Sequence, residues 1–329
     1  MKPLLLALLT ITTAALAHGP GSANDFGGRR VLFIGIDGCR ADALQAAMQQ
    51  GLAHNLKALA EDGIFSDKLF AGGEKDKPTQ QPTVSGPGWA SLLTGVWQNK
   101  HHITNNKFSG NALAEFPHFM RHVKEAKPSA WCGSVSSWPP VNDFIVHDSQ
   151  QGGTAFVDGL FSPQADPALH EQDAPEMDIA VRDVALGYLR QGNPDVLFVH
   201  LGQVDEYGHG AVDPRAAFTP DSRLYLNGIA MVDSHAGELI RAVRARPQYK
   251  AEKWLIIVTT DHGGRGNSHG GPSDAERNIW LIAHGTDVPK AALTTSPIGQ
   301  TIVPHLIFHH LGLPVKAGWN WEPANLTPP

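Results

Sequence analysis

VLFIGIDGCRADALQAAM, residues 31–48, decides the fold. Val31 to Ile36 is a continuous apolar run, stopped by Asp37 and Gly38. From Ala41 to Met48 the apolar residues return at helical spacing. An apolar run of this length, without polar alternation, suits a strand covered on both faces, as in parallel sheets flanked by helices. A strand, a carboxylate at its end and then a helix is one βα unit.

The same reading extends outward. VLFVHLG (196–202) and LIIVTT (255–260) are further buried strands, WCGSVSSW (131–138) is a weaker one, and NIWLIAHG (278–285) is a fifth. Helical patterns lie between them at Leu52–Ala60, Met177–Leu189, Leu224–Val243 and Val303–Leu311, the last stopped by Gly312 and Pro314. The alternation predicts an α/β fold, a doubly wound, mostly parallel central sheet with helices on both faces. Ligands of such sheets bind beyond the carboxyl ends of the strands.

The 329 residues, 42% hydrophobic, are enough for one large core. Residues 29–329 read as a single catalytic domain, with 139–175 as a lid or specificity insert. A net charge of −6 and Lys/Arg runs no longer than a pair exclude a polyanion track, so no nucleic-acid-binding surface is expected. Lys2, the apolar stretch that follows it and Ala15-Leu16-Ala17 form a signal-peptide pattern over residues 1–17, with a flexible leader over 18–28. The expectation is a periplasmic or secreted protein without a membrane span after cleavage. In that compartment Cys39 and Cys132 could pair.

Chemistry-bearing residues fall at the strand ends. Asp37 closes the first strand. Asp205 and His209 lie in DEYGH after the 196–202 strand, and Asp261 and His262 follow LIIVTT. His269 comes seven residues later in a glycine-rich segment. Carboxylate and imidazole together are the donors that zinc prefers. Ser85, in PTVSGPGWASLLTG, precedes a turn at Gly86-Pro87-Gly88 and a helix over Ala90–Gly95, so it is either an N-cap or a nucleophile beside a phosphate-holding helix start. Thr83 and Ser91 compete with it. His200 reads as a core histidine.

These pieces resemble the alkaline phosphatase superfamily, and within it the type I phosphodiesterase/nucleotide pyrophosphatase branch. The matching order is IDG, a hydroxyl before x-P-x-x-x-S-L-L-T-G, then D-x-x-G-H, D-H-G and a late His-Gly. The resemblance implies a phosphodiesterase with two Zn2+ ions, a small phosphate-ester substrate and a phosphoserine intermediate on Ser85. Asp37, Ser85, Asp261 and His262 would hold one ion; Asp205, His209 and His269 would hold the other, with His284 as the rival to His269. Where relatives carry an aromatic residue directly after the nucleophile and an Asn shortly beyond, this chain has Gly86 and Gly88. Asn105 and Asn106 are candidate replacements for the lost oxyanion donor, and Trp89 and Tyr207 are candidate walls for the leaving group.

The same string also resembles the sulfatase signature, but Trp89 stands where sulfatases have arginine, and Asp261-His262 replaces Asp-Asn. Phosphomonoesterase is the alternative activity, with Arg215 or Arg265 as the extra positive charge it needs. A metal-binding protein without catalysis is a further alternative.

Overall fold

The computed structural model describes residues 26–147, 156–163, 173–286, 288–295 and 297–324. The signal-peptide and most of the leader assignments, and residues 148–155 and 164–172 of the expected insert, lie outside them.

The first part of the chain runs β1 (Arg29–Ile36), α1 (Ala41–Gln49), α2 (His54–Asp62), β2 (Ile64–Phe70), α3 (Ser85–Thr94), α4 (Gln98–His101), α5 (Phe119–Ala126) and β3 (Cys132–Ser136). It continues through β4 (Gly159–Phe161), α6 (Ala174–Gln191), β5 (Val196–Leu201), α7 (Gln203–His209), α8 (Arg223–Arg244) and β6 (Lys253–Thr259). The last elements are α9 (Asp274–Arg277), β7 (Asn278–His284), α10 (Lys290–Thr294), β8 (Ile298–Gly299) and α11 (Ile302–Leu311). The strands form one sheet in the order β4-β3-β5-β1-β6-β7-β2-β8. β7 runs antiparallel to both neighbours, and the other pairings are parallel.

β1 alternates its side chains between two cores. Val31 and Phe33 join a layer with Phe198, Ile257, Trp89 and Ile307. Leu32, Ile34 and Ile36 join the opposite layer with Val199, Val258, Leu44 and Val232. Both faces of the strand are therefore buried, which is why its sequence shows no polar alternation. β5 and β6 flank β1 in register, so the three expected ligand-bearing strand ends are neighbours at one edge of the sheet.

Two expectations need correction. Cys39 and Cys132 are free and buried, in the layers on opposite faces of the sheet, so they do not pair. Within the expected 139–175 insert, Val141–Val146 forms a π-helical turn and β4 adds to the sheet beside β3. The helix expected from Ala90 begins at Ser85, its first turn closed by Gly88 N–H donating to Val84 O at 2.9 Å. Proline is tolerated at Pro87 because the first-turn N–H groups of a helix have no intrahelical partner to lose. Among the described residues no helix is long and apolar enough to cross a membrane.

Candidate metal centre and nucleophile

The site is assembled at the carboxyl ends of β1, β5 and β6. Asp37 leaves β1 with its N–H bonded to Leu201 O of β5 at 2.9 Å. Gly38 then adopts φ +62°, and a Cβ there would fall 2.2 Å from Asp205 Oδ1. Glycine at this position is thus required twice, for the left-handed turn and for the approach of Asp205. Gly38 N–H in turn donates to Asp261 Oδ1 at 3.2 Å, tying the third strand end to the first.

Ser85 is the first residue of α3, and Val84 is the N-cap. Its hydroxyl makes no capping bond; it donates to Asp37 Oδ1 at 3.2 Å and lies 3.2 Å from His262 Nε2. Thr83 Oγ1 instead donates to Gly271 O, and Ser91 Oγ to Gln81, which removes both competing hydroxyls from the site.

Asp37, Asp261 and His262 place ligand atoms within 4.8 Å of one another, and so do Asp205, His262 and His269. His209 completes the second group, with Nε2 3.2 Å from Asp205 Oδ2 and 3.0 Å from His269 Nε2. His262 borders both groups, its ring stacked on that of His269 at 4.0 Å. His284 lies elsewhere, bonded to Asp62 at 3.0 Å.

The donor set fits divalent cations. Each of the three histidines has Nδ1 on a backbone carbonyl: His209 on Asn267 O (2.9 Å), His269 on Thr83 O (2.8 Å) and His262 on Gly263 O (2.8 Å). A carbonyl only accepts, so Nδ1 carries the hydrogen and Nε2 of a neutral ring offers its lone pair to the site. Asp205 Oδ1 and Asp261 Oδ2 are buried without a hydrogen-bond partner. Such oxygens are costly unless a cation satisfies them.

Electrostatics lead to the same conclusion. Burial, and then the charges of Asp37 and Asp205, push the Asp261 carboxyl well above its usual range. Burial also pushes Asp37 upward, but it is outweighed by the His200 hydrogen bond, the His262 charge and the Trp89 hydrogen bond, which together hold it below the usual range. The hydrogen bond to Asp205 pushes His209 up to about 9, and burial pushes His262 down to about 4. Three carboxylates and three imidazoles packed this closely are an arrangement that positive charge relieves.

A cavity of about 920 Å³ opens over these groups. Asp37, Ser85, Asn106, Asp205, His209 and His269 line its floor, and Trp138, Pro139, Met177 and Glu206 are among its walls. Of the expected substrate contacts only Asn106 is there. Its Oδ1 accepts from Gly86 N at 2.8 Å, leaving the amide hydrogens to donate. A Cβ on Gly86 would meet Asn105 O at 2.6 Å, so the Asn105-Asn106 backbone fills the space beside it.

Asn105, Trp89 and Tyr207 are corrections. Asn105 is exposed and its Oδ1 caps Lys107 N–H. Trp89 is wholly buried, with Nε1 on Asp37 Oδ2 at 2.8 Å. Tyr207 packs on Gly228 of α8, its hydroxyl toward Met231. Arg215 pairs with Asp213, Arg265 is exposed, and neither lines the cavity. His200, read as a core residue, is buried but has Nε2 3.0 Å from Asp37 Oδ2. No local signal separates it from an ordinary strand histidine.

The profile of type I phosphodiesterases/nucleotide pyrophosphatases matches residues 31–271, which include all seven candidate metal-site residues. The chain belongs to this family. Its members are metal-dependent phosphoric ester hydrolases. Similar curated proteins include an uncharacterized pyrophosphatase/phosphodiesterase of Schizosaccharomyces pombe, 26% identical over 76% of this chain and 47% of that protein. A bis(5'-adenosyl)-triphosphatase of Bos taurus is 23% identical over 78% of this chain and 52% of its own length. GPI ethanolamine phosphate transferase 1 of Neurospora crassa is 27% identical over 80% of this chain and 26% of its own length. The chain therefore spans a quarter to a half of the curated relatives it matches.

Among the solved structures that share the fold are two of different chemistry. The C-terminal periplasmic domain of a phosphoethanolamine transferase from Campylobacter jejuni superposes with a TM-score of 0.60 at 12% identity, covering 91% of this chain and 93% of that one. A 2-O GAG sulfatase gives 0.60 at 13% identity, covering 88% and 72%.

Proposed function

We propose that this chain is an exported two-zinc phosphodiesterase whose nucleophile is Ser85. The observation that carries the reading is the place of the Ser85 hydroxyl, 3.2 Å from both Asp37 Oδ1 and His262 Nε2, where the two ligand groups meet. Zinc held by these residues would supply a Lewis acid that neutralises phosphoryl charge and makes a hydroxyl nucleophilic at neutral pH.

The residues account for the rest. Asp37 Oδ1 takes the Ser85 hydrogen bond and so holds Oγ in place, with its lone pairs toward the cavity. Oγ attacks phosphorus in line; the Oγ–P bond forms as the P–O bond to one alcohol breaks, the proton lost by Ser85 ends on the departing alcohol, and water later cleaves the Ser85 Oγ–P bond to release the monoester. Asn106 Nδ2 donates to a phosphoryl oxygen, the part the sequence leaves vacant at Gly88. Diesters are favoured over monoesters because no lysine or arginine is among the described residues that line the cavity. A monoester carries one more negative charge, and Glu206 adds to the anionic wall.

A second reading is transfer of the phosphoryl-bearing group to an alcohol instead of water. It is favoured by the cavity's volume, which leaves room for an acceptor beside the donor, and by the names of relatives such as the Neurospora crassa transferase.

The test is turnover of zinc-loaded protein on bis-p-nitrophenyl phosphate, p-nitrophenyl phosphate and p-nitrophenyl sulfate, with chelator and Ser85→Ala controls. Diester preference lost in both controls supports the reading; dominant monoester or sulfate turnover overturns it. Adding glycerol and looking for a glycerol phosphodiester product separates transfer from hydrolysis. Export, supported by Lys2 and the Ala15-Leu16-Ala17 pattern, is tested by sequencing the N-terminus of the protein recovered outside the cytoplasm.

A further inference from the structure

The fold treats the two oxygens of Asp37 differently. Oδ1 faces the site, toward Ser85 Oγ and His262 Nε2. Oδ2 is turned inward, where Trp89 Nε1 lies at 2.8 Å and His200 Nε2 at 3.0 Å. A carboxylate only accepts, so His200 Nε2 carries a hydrogen and donates, as the indole does. Both donors are wholly buried, one on α3 and the other on β5, and neither lines the cavity.

Both rings are held from behind. Their centroids are 4.6 Å apart, edge to face. A Cβ on Gly35 would fall 2.4 Å from the indole, so β1 has no side chain where Trp89 sits. On the far side of His200, Ser137 Oγ lies 3.4 Å from Nδ1. Asp178 accepts from Gly202 N at 2.8 Å and Gln203 N at 3.1 Å, where the chain enters α7. That helix carries Asp205 and His209.

We infer that His200 and Trp89 are positioning residues that occupy Asp37 Oδ2, so that Asp37 meets a metal through Oδ1 alone, in one orientation. His200 lies two residues before Gly202, whose N–H is held by Asp178, so the same short segment leads into α7 and the second ligand group. A carboxylate free to rotate or to bind through both oxygens would shift the ion relative to Ser85, and displacements of about 1 Å at a reacting centre cost about 100-fold in rate. The inference rests on the reading of Asp37 as a metal ligand.

The test is a zinc titration against a chromogenic chelator for wild type, His200→Ala, His200→Gln and Trp89→Phe, with kcat, KM and Tm measured in parallel. His200→Ala is expected to weaken one of two zinc sites by about 10- to 100-fold and to lower kcat more than it changes KM. His200→Gln, whose amide N–H reaches the same oxygen, is expected to restore affinity to within about threefold. Trp89→Phe should weaken the same site in the same direction. If a folded His200→Ala and Trp89→Phe both bind zinc within twofold of wild type, the positioning role is wrong. The same conclusion follows if glutamine fails to rescue while Trp89→Phe has no effect, since His200 then acts by packing. Should His200→Ala not fold, the other two variants decide. Wild-type protein that binds no zinc would instead overturn the metal reading itself.

Discussion

His209 and His269 meet Nε2 to Nε2 at 3.0 Å, although each ring has already committed its Nδ1 hydrogen to a backbone carbonyl. Without metal a proton on His209 Nε2, which the Asp205 hydrogen bond favours, fills that contact; a cation held by both rings would take its place. Removing metal from the protein should destabilise it. Dialysis against a chelator is expected to lower Tm by several degrees, with recovery on adding zinc, as for any ligand that binds the native state alone. His269→Ala should lose one equivalent of bound metal by elemental analysis. An unchanged Tm and metal content in both experiments would rule out this centre.

Ser85→Ala should abolish turnover, by about 1,000-fold or more, while leaving metal content and Tm nearly unchanged. The hydroxyl caps no helix, and although its loss gives up the hydrogen bond to Asp37 Oδ1, Trp89 and His200 still hold Oδ2. Residual activity within tenfold of wild type would assign the nucleophile elsewhere.

Asn106 and Asn105 are adjacent but should behave differently. Asn106→Ala is expected to lower kcat by about 100-fold, as removal of an oxyanion donor does. Asn105→Ala should stay within about twofold, because its side chain caps Lys107 on the exposed side of the loop. Equal effects would place the donor elsewhere.

Gly38→Ala combines a left-handed φ with a methyl group 2.2 Å from Asp205 Oδ1. It should cost about 1–3 kcal/mol of stability and displace Asp205. Chemical denaturation and metal titration check the two effects separately.

Acid should weaken the fold through histidines away from the metal centre. Burial pushes both His101 and His118 down to about 3. Unfolded histidine titrates near 6.5, so below that pH the unfolded chain binds more protons than the native one. Their contribution is complete above about pH 6.5 and is lost as pH falls toward 3. The loss is about 1 kcal/mol for each histidine between pH 7 and pH 5.5. His118 also caps α5 by accepting from Arg121 N, a role asparagine can keep. His118→Asn should therefore flatten the fall of denaturation midpoint with pH in metal-free protein, and a slope equal to wild type would exclude it.

Much of this protein is legible along the chain. Val31–Ile36, Val196–Leu201 and Leu255–Thr259 announce buried strands because both faces are covered, and their polar members, His200 and Thr259, are each hydrogen-bonded in the core. The ligands follow these runs directly, because a strand end beyond the core is where polar side chains can converge. Asp37, Asp205, His209, Asp261 and His262 could thus be named from their positions, Ser85 needed the family resemblance to separate it from Thr83 and Ser91, His269 kept His284 as a rival, and the fold brings the seven together.

What the tertiary structure alone decided are the pairings between distant segments. His200 looks like any strand histidine until the β1–β5 register places it against Asp37, 163 residues away. Trp89 looks like a pocket wall until α3 packs it over Gly35, inside the core. Cys39 and Cys132 look like partners until the sheet separates them onto opposite faces. Periodicity records whether a residue faces core or solvent, a local property of each strand or helix. Which buried group meets which depends on strand order and on which face an element covers, and these are set by the packing of the whole chain.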